Sequence, residues 1–262
     1  MDIIEKGKFL INLLSSLDSV AIAFSGGVDS SLLAVFANKY VKGKVLLVNA
    51  CTPFCTGKET LFINKWTKEN EYDLEVVKID ILKFPEVQKN PPDRCYHCKK
   101  ILMKELQAVA EHNGIKTIAD GSNMDDLSEY RPGSKAAEEL GIIHPLIEAQ
   151  ITKEEIRELA KKYNLTNWNT PAQACLATRI PVNTPILNED LRKIEKAEDC
   201  LHSLGFLACR VRKLGDIAKI ELPQSRIGDS LLYRETIVDE LKELGFQQIL
   251  LDLEGYKMVR SS

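Results

Sequence analysis

Ser25-Gly26-Gly27-Val28-Asp29-Ser30 stands between a short apolar run, Val20-Ala21-Ile22-Ala23-Phe24, and a stretch from Ser30 to Tyr40 with Leu32, Leu33, Val35 and Phe36 at helical spacing. The first run reads as a buried parallel strand and the second as a helix. The hexapeptide is therefore a strand-to-helix turn. Gly26 and Gly27 open backbone conformations that a side chain blocks, and they permit close approach by a ligand. Such a turn aims backbone N–H groups at one point, and the following helix adds the positive end of its dipole. Ser25 and Ser30 add hydroxyl donors. These residues suit a phosphate or pyrophosphate. The turn is not a Walker loop, which ends in Gly-Lys-Ser/Thr after a longer spacer. Nor is it the dinucleotide glycine fingerprint.

Outward from this turn the pattern repeats. Strands are expected at Val45 to Ala50, Leu74 to Ile79 and Thr117 to Asp120. Helices are expected at Thr60 to Lys68, at Arg94 to His112 and at Lys153 to Tyr163, the last with Thr152 and Glu155 as a capping box. Met1 to Ser19 reads as an amphipathic helix, too charged for a signal peptide. Strands alternating with helices imply an α/β fold with a doubly wound parallel sheet. Ligands on such sheets lie at the carboxyl ends of the strands, where the loops after Phe24, Ala50, Ile81 and Asp120 emerge. The pattern changes at Arg179-Ile180-Pro181-Val182-Asn183-Thr184-Pro185, which reads as a linker. Beyond it come a helix at Asn188 to Leu204, paired strands at Leu207 to Val211 and Ala218 to Leu222, a mostly helical Ile227 to Leu244, and a strand at Gln247 to Leu253. Two domains follow: residues 1–182, and a small α+β domain over 183–262.

The 262 residues are 44% hydrophobic and carry a net charge of −3. That composition suits a globular protein and gives no general electrostatic case for nucleic-acid binding. No apolar run is long enough to span a membrane, so the expected compartment is cytoplasmic. The cysteine count of 7 is odd, which argues against a disulfide framework and for thiol or metal chemistry.

Several groups carry chemistry. Gly121-Ser122-Asn123-Met124-Asp125-Asp126 follows the fourth strand, and Asp125 and Asp126 suit Mg²⁺ held with phosphate oxygens. Asp29 is a third oxygen donor. Arg131, Lys153 and Arg179 are cations able to neutralise phosphate. Cys95-Tyr96-His97-Cys98 places two thiols at a helix start, where the dipole favours thiolate. Cys175, far along the chain, would make a three-cysteine site. Three thiolates leave one iron of a four-iron cluster open, whereas four would close a structural zinc or an ordinary cluster. Reduced, unliganded thiols and a zinc knot are the alternatives. Cys51 and Cys55 form a further C-x-x-x-C pair, read as buried or loop thiols. Cys200 and Cys209 fall on apolar-patterned elements and read as core. Arg210 and Arg212 share one strand face and suit a phosphate, or else a solvated surface.

Taken together, the hexapeptide, Asn90-Pro91-Pro92-Asp93-Arg94-Cys95-Tyr96-His97-Cys98-Lys99, Gly121 to Asp126, Tyr130-Arg131-Pro132-Gly133 and Ala174-Cys175-Leu176-Ala177-Thr178-Arg179-Ile180-Pro181 resemble the LarE-type ATP-dependent sulfur transferases of the PP-loop ATP pyrophosphatase superfamily. Arg210-Val211-Arg212 fits too. The resemblance implies that ATP adenylates a carboxylate of a pyridinium dicarboxylate mononucleotide, and that sulfur then replaces the adenylate. The product leads to the nickel-pincer nucleotide cofactor of lactate racemase and its relatives. It implies further that Ser25, Gly26, Gly27, Asp29 and Ser30 hold the pyrophosphate. Asn49, Ala50 and the Gly121 loop with Asn123 would meet the nucleotide, and Arg210 and Arg212 the substrate phosphate. Some members surrender the sulfur of one cysteine, here Cys175; others hold a 4Fe-4S cluster on three. The presence of Cys95 and Cys98 favours the cluster form, fed by a sulfide source. The resemblance also suggests a homo-oligomer. An ATP-dependent amidotransferase and a tRNA thiolase are the competing enzyme readings, the latter disfavoured by the lack of a basic RNA-binding extension. An ATP-sensing regulator is the non-enzymatic one.

Overall fold

Where the sequence alternates apolar runs with amphipathic stretches, strands and helices follow in turn. The computed structural model describes residues 1–127, 132–170 and 174–256. Its elements run α1 (Ile3–Ser15), β1 (Val20–Ala23), α2 (Val28–Tyr40), β2 (Val45–Cys51), α3 (Gly57–Glu69), β3 (Leu74–Lys78), α4 (Pro85–Gln88), α5 (Arg94–His112), β4 (Ile118–Asp120), α6 (Pro132–Glu139), α7 (Pro145–Glu148), α8 (Lys153–Lys162), α9 (Asn188–Ser203), β5 (Arg210–Leu214), β6 (Ile217–Glu221), α10 (Ile227–Ser230), α11 (Arg234–Glu243) and β7 (Gln248–Leu251). Two compact units result: Met1–Ile81 with Asp93–Gln173, and Leu82–Pro92 with Ala174–Ser262.

In the first unit the strands form one parallel sheet in the order β3-β2-β1-β4. Alternate residues leave opposite faces. Val20, Ile22 and Leu47 face Leu10 of α1, Leu33 of α2, Trp66 of α3, Leu146 of α7 and Ile156 of α8. Ala21, Leu46 and Val48 face Met103, Leu106 and Ala110 of α5 and Ala137 of α6. The sheet is thus covered on both sides, the α/β doubly wound arrangement that the alternating pattern predicts. Leu10, Leu32, Leu33 and Leu47 are fully buried, each stabilising the fold by roughly 1.5–3 kcal/mol. Local signals set the helix starts. Thr152 and Glu155 form the capping box expected for α8, and Thr56 with Glu59 forms another at α3. That second box starts α3 at Gly57, ahead of the expected Thr60.

The strand order reverses between β1 and β4, so their carboxyl ends define the crevice where open sheets bind ligands. Here the two connecting loops touch. A Cβ placed on Gly121 would lie 2.8 Å from the Ser30 nitrogen and 3.1 Å from the Asp29 carbonyl carbon. Only a glycine lets the chain leaving β4 pass against the first turn of α2.

In the second unit β5, β6 and β7 form a sheet in that order, β5–β6 antiparallel and β6–β7 parallel. Its core holds Leu201, Phe206, Val211, Ile220, Leu241 and Phe246. The strand expected at Leu207 to Val211 begins instead at Arg210. Gly205 (φ 89°) ends α9 in the left-handed region, and Leu207 is 80% exposed. The hairpin is set by Gly215-Asp216, a two-residue turn between the paired Leu214 and Ile217. The proline-rich stretch read as a linker is pinned in place: Asn183 N donates to Asn90 O (2.8 Å), Ile186 N to Gln88 O (2.8 Å) and Asn90 Nδ2 to Pro181 O (2.8 Å). These bonds draw 82–92 into the second unit.

Gly121→Ala is expected to lower stability by about 1–3 kcal/mol, the usual cost of overpacking, because the obstructing atoms are backbone. Thermal unfolding of the variant against the parent chain measures this.

Candidate active site

The loop after β1 is built from the strand outward. Phe24 is buried, and its ring stacks on Trp66 with centroids 5.1 Å apart. Its carbonyl accepts from Asn49 Nδ2 at 2.8 Å. Asn49, expected to meet adenosine, therefore uses its amide as a brace between the ends of β1 and β2, while Ala50 follows it at the half-buried end of β2. Gly26 adopts φ 76°, which L side chains rarely take. Ser25 Oγ and Ser30 Oγ lie 3.2 Å apart, and Ser30 Oγ donates to Gly27 O at 3.1 Å. Gly27 caps α2 and offers no side-chain bond to the first-turn N–H groups. Orphan donors of this kind bind anions.

Beside the loop, Lys153 Nζ lies 2.6 Å from both oxygens of Asp29, a charge-assisted pair. Burial nevertheless pushes the Asp29 carboxyl above its ordinary pKa, with Lys153 opposing. Asn123, itself buried, donates from Nδ2 to Asp29 at 3.4 Å and accepts from Asp125 N at 3.0 Å. Asp125 accepts from Lys153 N (2.8 Å) and Asp126 from Asn123 N (3.0 Å). The structure thus gathers Ser25, Gly26, Gly27, Asp29, Ser30, Gly121, Asn123, Asp125, Asp126 and Lys153 around the crevice. Arg131 lies outside the described residues. Among the described residues no group of three or more His, Cys, Asp or Glu side chains is arranged to hold a metal ion.

Cys95 and Cys98 occupy the opening turns of α5, the first exposed and the second half-buried. One turn on, Lys99 donates from Nζ to Asp120 at 3.0 Å, and His144 Nδ1 lies 2.7 Å from the other Asp120 oxygen. Burial pushes the Asp120 carboxyl up, but the His144 hydrogen bond and the Lys99 charge outweigh it and hold the group below the ordinary carboxylate range. The Asp120 hydrogen bond raises His144, with burial opposing. Asp120 and His144 were not singled out in the sequence. The signal for Asp120 is its place as the polar residue closing an apolar strand in a doubly wound sheet.

Cys175 is exposed and opens a short 3₁₀ turn, Leu176–Arg179, in the second unit. Arg179, expected to meet phosphate, is 6% exposed. It donates to both carboxylate oxygens of Glu198 (2.9 and 3.2 Å) and to the carbonyls of Ala174 (2.6 Å) and Cys175 (3.2 Å). Its guanidinium braces the Cys175 turn. Glu198 is the sequence's missed partner: it falls on the apolar face of α9 with Leu191, Ile194 and Leu201, and a carboxylate there signals a buried cation. Arg212 donates to Thr178 O at 2.9 Å and pairs with Glu221. Arg210 stacks over Tyr256 at 4.3 Å and donates to its hydroxyl at 2.9 Å. Burial and then the charges of Arg179 and Arg212 push the Arg210 pKa down, with Tyr256 opposing. Arg210 and Arg212 line a cavity of about 360 Å³ with Lys219, Glu221 and Tyr256. Asp252 and Glu254 line it as well, and Arg212 and Lys219 are paired with its carboxylates.

The chain is 35% identical over 252 residues to the pyridinium-3,5-bisthiocarboxylic acid mononucleotide synthase of Lactiplantibacillus plantarum, covering 96% of this chain and 91% of that one. The chain belongs to that family, the LarE-type enzymes. No family model matches it. More distant likenesses are to a probable tRNA sulfurtransferase of Saccharolobus solfataricus, 24% identical over 69% of this chain and 50% of the relative, and to a glutamine-hydrolyzing GMP synthase chain of Methanococcus maripaludis, 28% identical over 55% and 49%. These likenesses support the PP-loop fold of this chain. None of its cysteines, all among the described residues, is in a disulfide. No helix among those residues is long and apolar enough to cross a membrane.

The paired Asp120 and His144 give a pH signature. His144's contribution to stability is full below the ordinary imidazole pKa of about 6.5 and is lost as pH rises through its elevated folded value. Asp120's is present above the ordinary carboxylate pKa and lost as pH falls towards its depressed folded value. Asp120→Asn is expected to cost about 3 kcal/mol at pH 6 and to flatten the decline between pH 6 and 9, read by urea unfolding at each pH.

Proposed function

We propose that the protein is an ATP-dependent sulfur transferase acting on pyridinium-3,5-dicarboxylate mononucleotide in the biosynthesis of a nickel-pincer nucleotide. One observation carries the reading: a side-chain-uncapped phosphate loop lies at the sheet's switch point, and the same chain holds an exposed Cys175 on a turn gripped by Arg179 and Arg212. ATP chemistry and sulfur chemistry each have their residues.

In the first half-reaction a substrate carboxylate oxygen attacks the α-phosphorus of ATP, the bond to the bridging oxygen breaks, and pyrophosphate leaves. Ser25, Gly26, Gly27 and Ser30 hold the leaving group with backbone and hydroxyl donors. Lys153 adds charge, the largest expected contribution in such transfer. Asp29, Asp125 and Asp126 are the carboxylates that would hold Mg²⁺, in keeping with its preference for one or two carboxylates plus phosphate oxygens. In the second half-reaction a sulfur nucleophile attacks the acyl carbon and AMP leaves, giving a thiocarboxylate. Arg210 and Arg212 anchor the substrate phosphate.

Cys95 and Cys98 of the first unit and Cys175 of the second are the thiolate donors that a 4Fe-4S cluster would need, and among the described residues they are not arranged as a metal site. When bound, such a cluster supplies an open iron for hydrosulfide from a sulfide source. The exposure of Cys175 on a braced turn favours a second route, in which its Sγ attacks the acyl carbon and expels AMP, and elimination then breaks Cβ–Sγ with loss of the Cα proton to water, releasing the thiocarboxylate and leaving dehydroalanine. The second unit is the substrate and assembly module, and its exposed Leu207, Leu231, Leu232 and Leu253 support a homo-oligomer.

Pyrophosphate release from Mg·ATP with the mononucleotide tests the first half-reaction; no release would refute the proposal. Anaerobic iron and sulfide analysis, with intact mass after one turnover, separates the sulfur routes: bound iron and unchanged mass mean the cluster, and a mass loss at Cys175 means the sacrificial route. Cys175→Ala is expected to abolish thiocarboxylate while pyrophosphate release persists. Arg210→Ala is expected to raise the KM for the mononucleotide roughly 10- to 100-fold, the loss of a charge-assisted hydrogen bond of about 1.5–3 kcal/mol.

A further inference from the structure

Asn167, in the turn after α8, is 2% exposed. Its Nδ2 donates one hydrogen to Gly26 O at 2.9 Å and the other to Ser31 Oγ at 2.9 Å. The Oδ1 of the same amide is buried without a hydrogen-bond partner among the described residues. An acceptor buried unpaired is costly, so the side chain is held at this point by its donors. Both lead to the phosphate loop: one to its left-handed residue, the other to the first turn of α2, where Ser31 is fully buried.

The geometry points to Asn167 as the positioning residue of the pyrophosphate site. A trans peptide is planar, with its C=O and N–H pointing in opposite directions, and the structure has no cis bond among the described residues. Fixing the Gly26 carbonyl inward against Asn167 therefore turns the Gly27 N–H outward, towards the side where Ser25 Oγ and Ser30 Oγ face each other. Among the described residues that N–H reaches only Ser25 Oγ, at 3.4 Å, longer than an ordinary hydrogen bond, and so has capacity for an anion. Gly26 has no side chain to hold its own plane, and φ 76° is one of several conformations open to glycine. Without the amide the peptide can rotate and its donor is lost to the ligand. The clamp selects for the β- and γ-phosphates that the loop receives, and not for the rest of the nucleotide.

The inference rests on the ATP reading above, and the test separates the two. Titration calorimetry of the full chain with Mg·ATP and with AMP is run on the parent and on Asn167→Ala. The expected result is ATP affinity weakened roughly tenfold, as for one lost hydrogen bond, with AMP affinity unchanged and the KM for ATP raised more than kcat falls. If Asn167→Ala does not fold, Asn167→Asp keeps the shape while its carboxylate, lacking donors, repels the Gly26 carbonyl, and the same ATP-selective loss is expected. An unchanged ATP-to-AMP affinity ratio in a folded variant, or an equal loss of both, overturns the positioning role. A parent chain that binds neither nucleotide overturns the ATP reading instead.

Discussion

The close approach of the Gly121 backbone to the first turn of α2 is the constraint from which the nucleotide site follows. It joins the carboxyl ends of β1 and β4, where the strand order reverses. Two loops that lie far apart in the chain pass backbone against backbone. Ser30 and Asp29 sit on one, and Asn123, Asp125 and Asp126 on the other. The carboxylate loop and the phosphate loop thus form one surface, with Lys153 bridging them through Asp29 and Asp125.

Charge within the first unit is organised in two layers. Outermost, Asp29 and Lys153 meet at the crevice, both half-buried. Beneath them Asp120, nearly fully buried, ties Lys99 of α5 to His144 ahead of α7. Because a buried carboxylate needs cations around it, Asp120 fixes how the helix that carries Cys95 and Cys98 meets the sheet. The second unit repeats the device with the signs exchanged. There a buried guanidinium, Arg179, is satisfied by Glu198 and by the carbonyls that precede its own turn. The exposed thiol of Cys175 stands on a backbone that cannot readily drift.

Much of this was legible in the chain. The hexapeptide, its flanking strand and helix, the later strands and the capping boxes are local patterns, and each rests on contacts between residues near in sequence. Membership of the LarE-type family was legible for the same reason, since its motifs are short and continuous. The hairpin at Gly215-Asp216 was equally local, but the exposed Leu207 mimicked a strand position and drew the strand early. The stretch around Pro181 and Pro185 read only as a linker because its partners, Gln88 and Asn90, lie far upstream.

The sequence by itself determined that a phosphate loop follows the first strand of a doubly wound sheet and that thiols accompany it, because turn chemistry and hydrophobic period are written in neighbouring residues. Only the tertiary structure decided the tasks of single polar side chains. Arg179 became a brace for Cys175, Asn49 a tie between strands, Asp120 a buried hub and Asn167 a clamp on Gly26. A polar group's role depends on which distant partner shares its desolvated surroundings, and no local pattern records that partner.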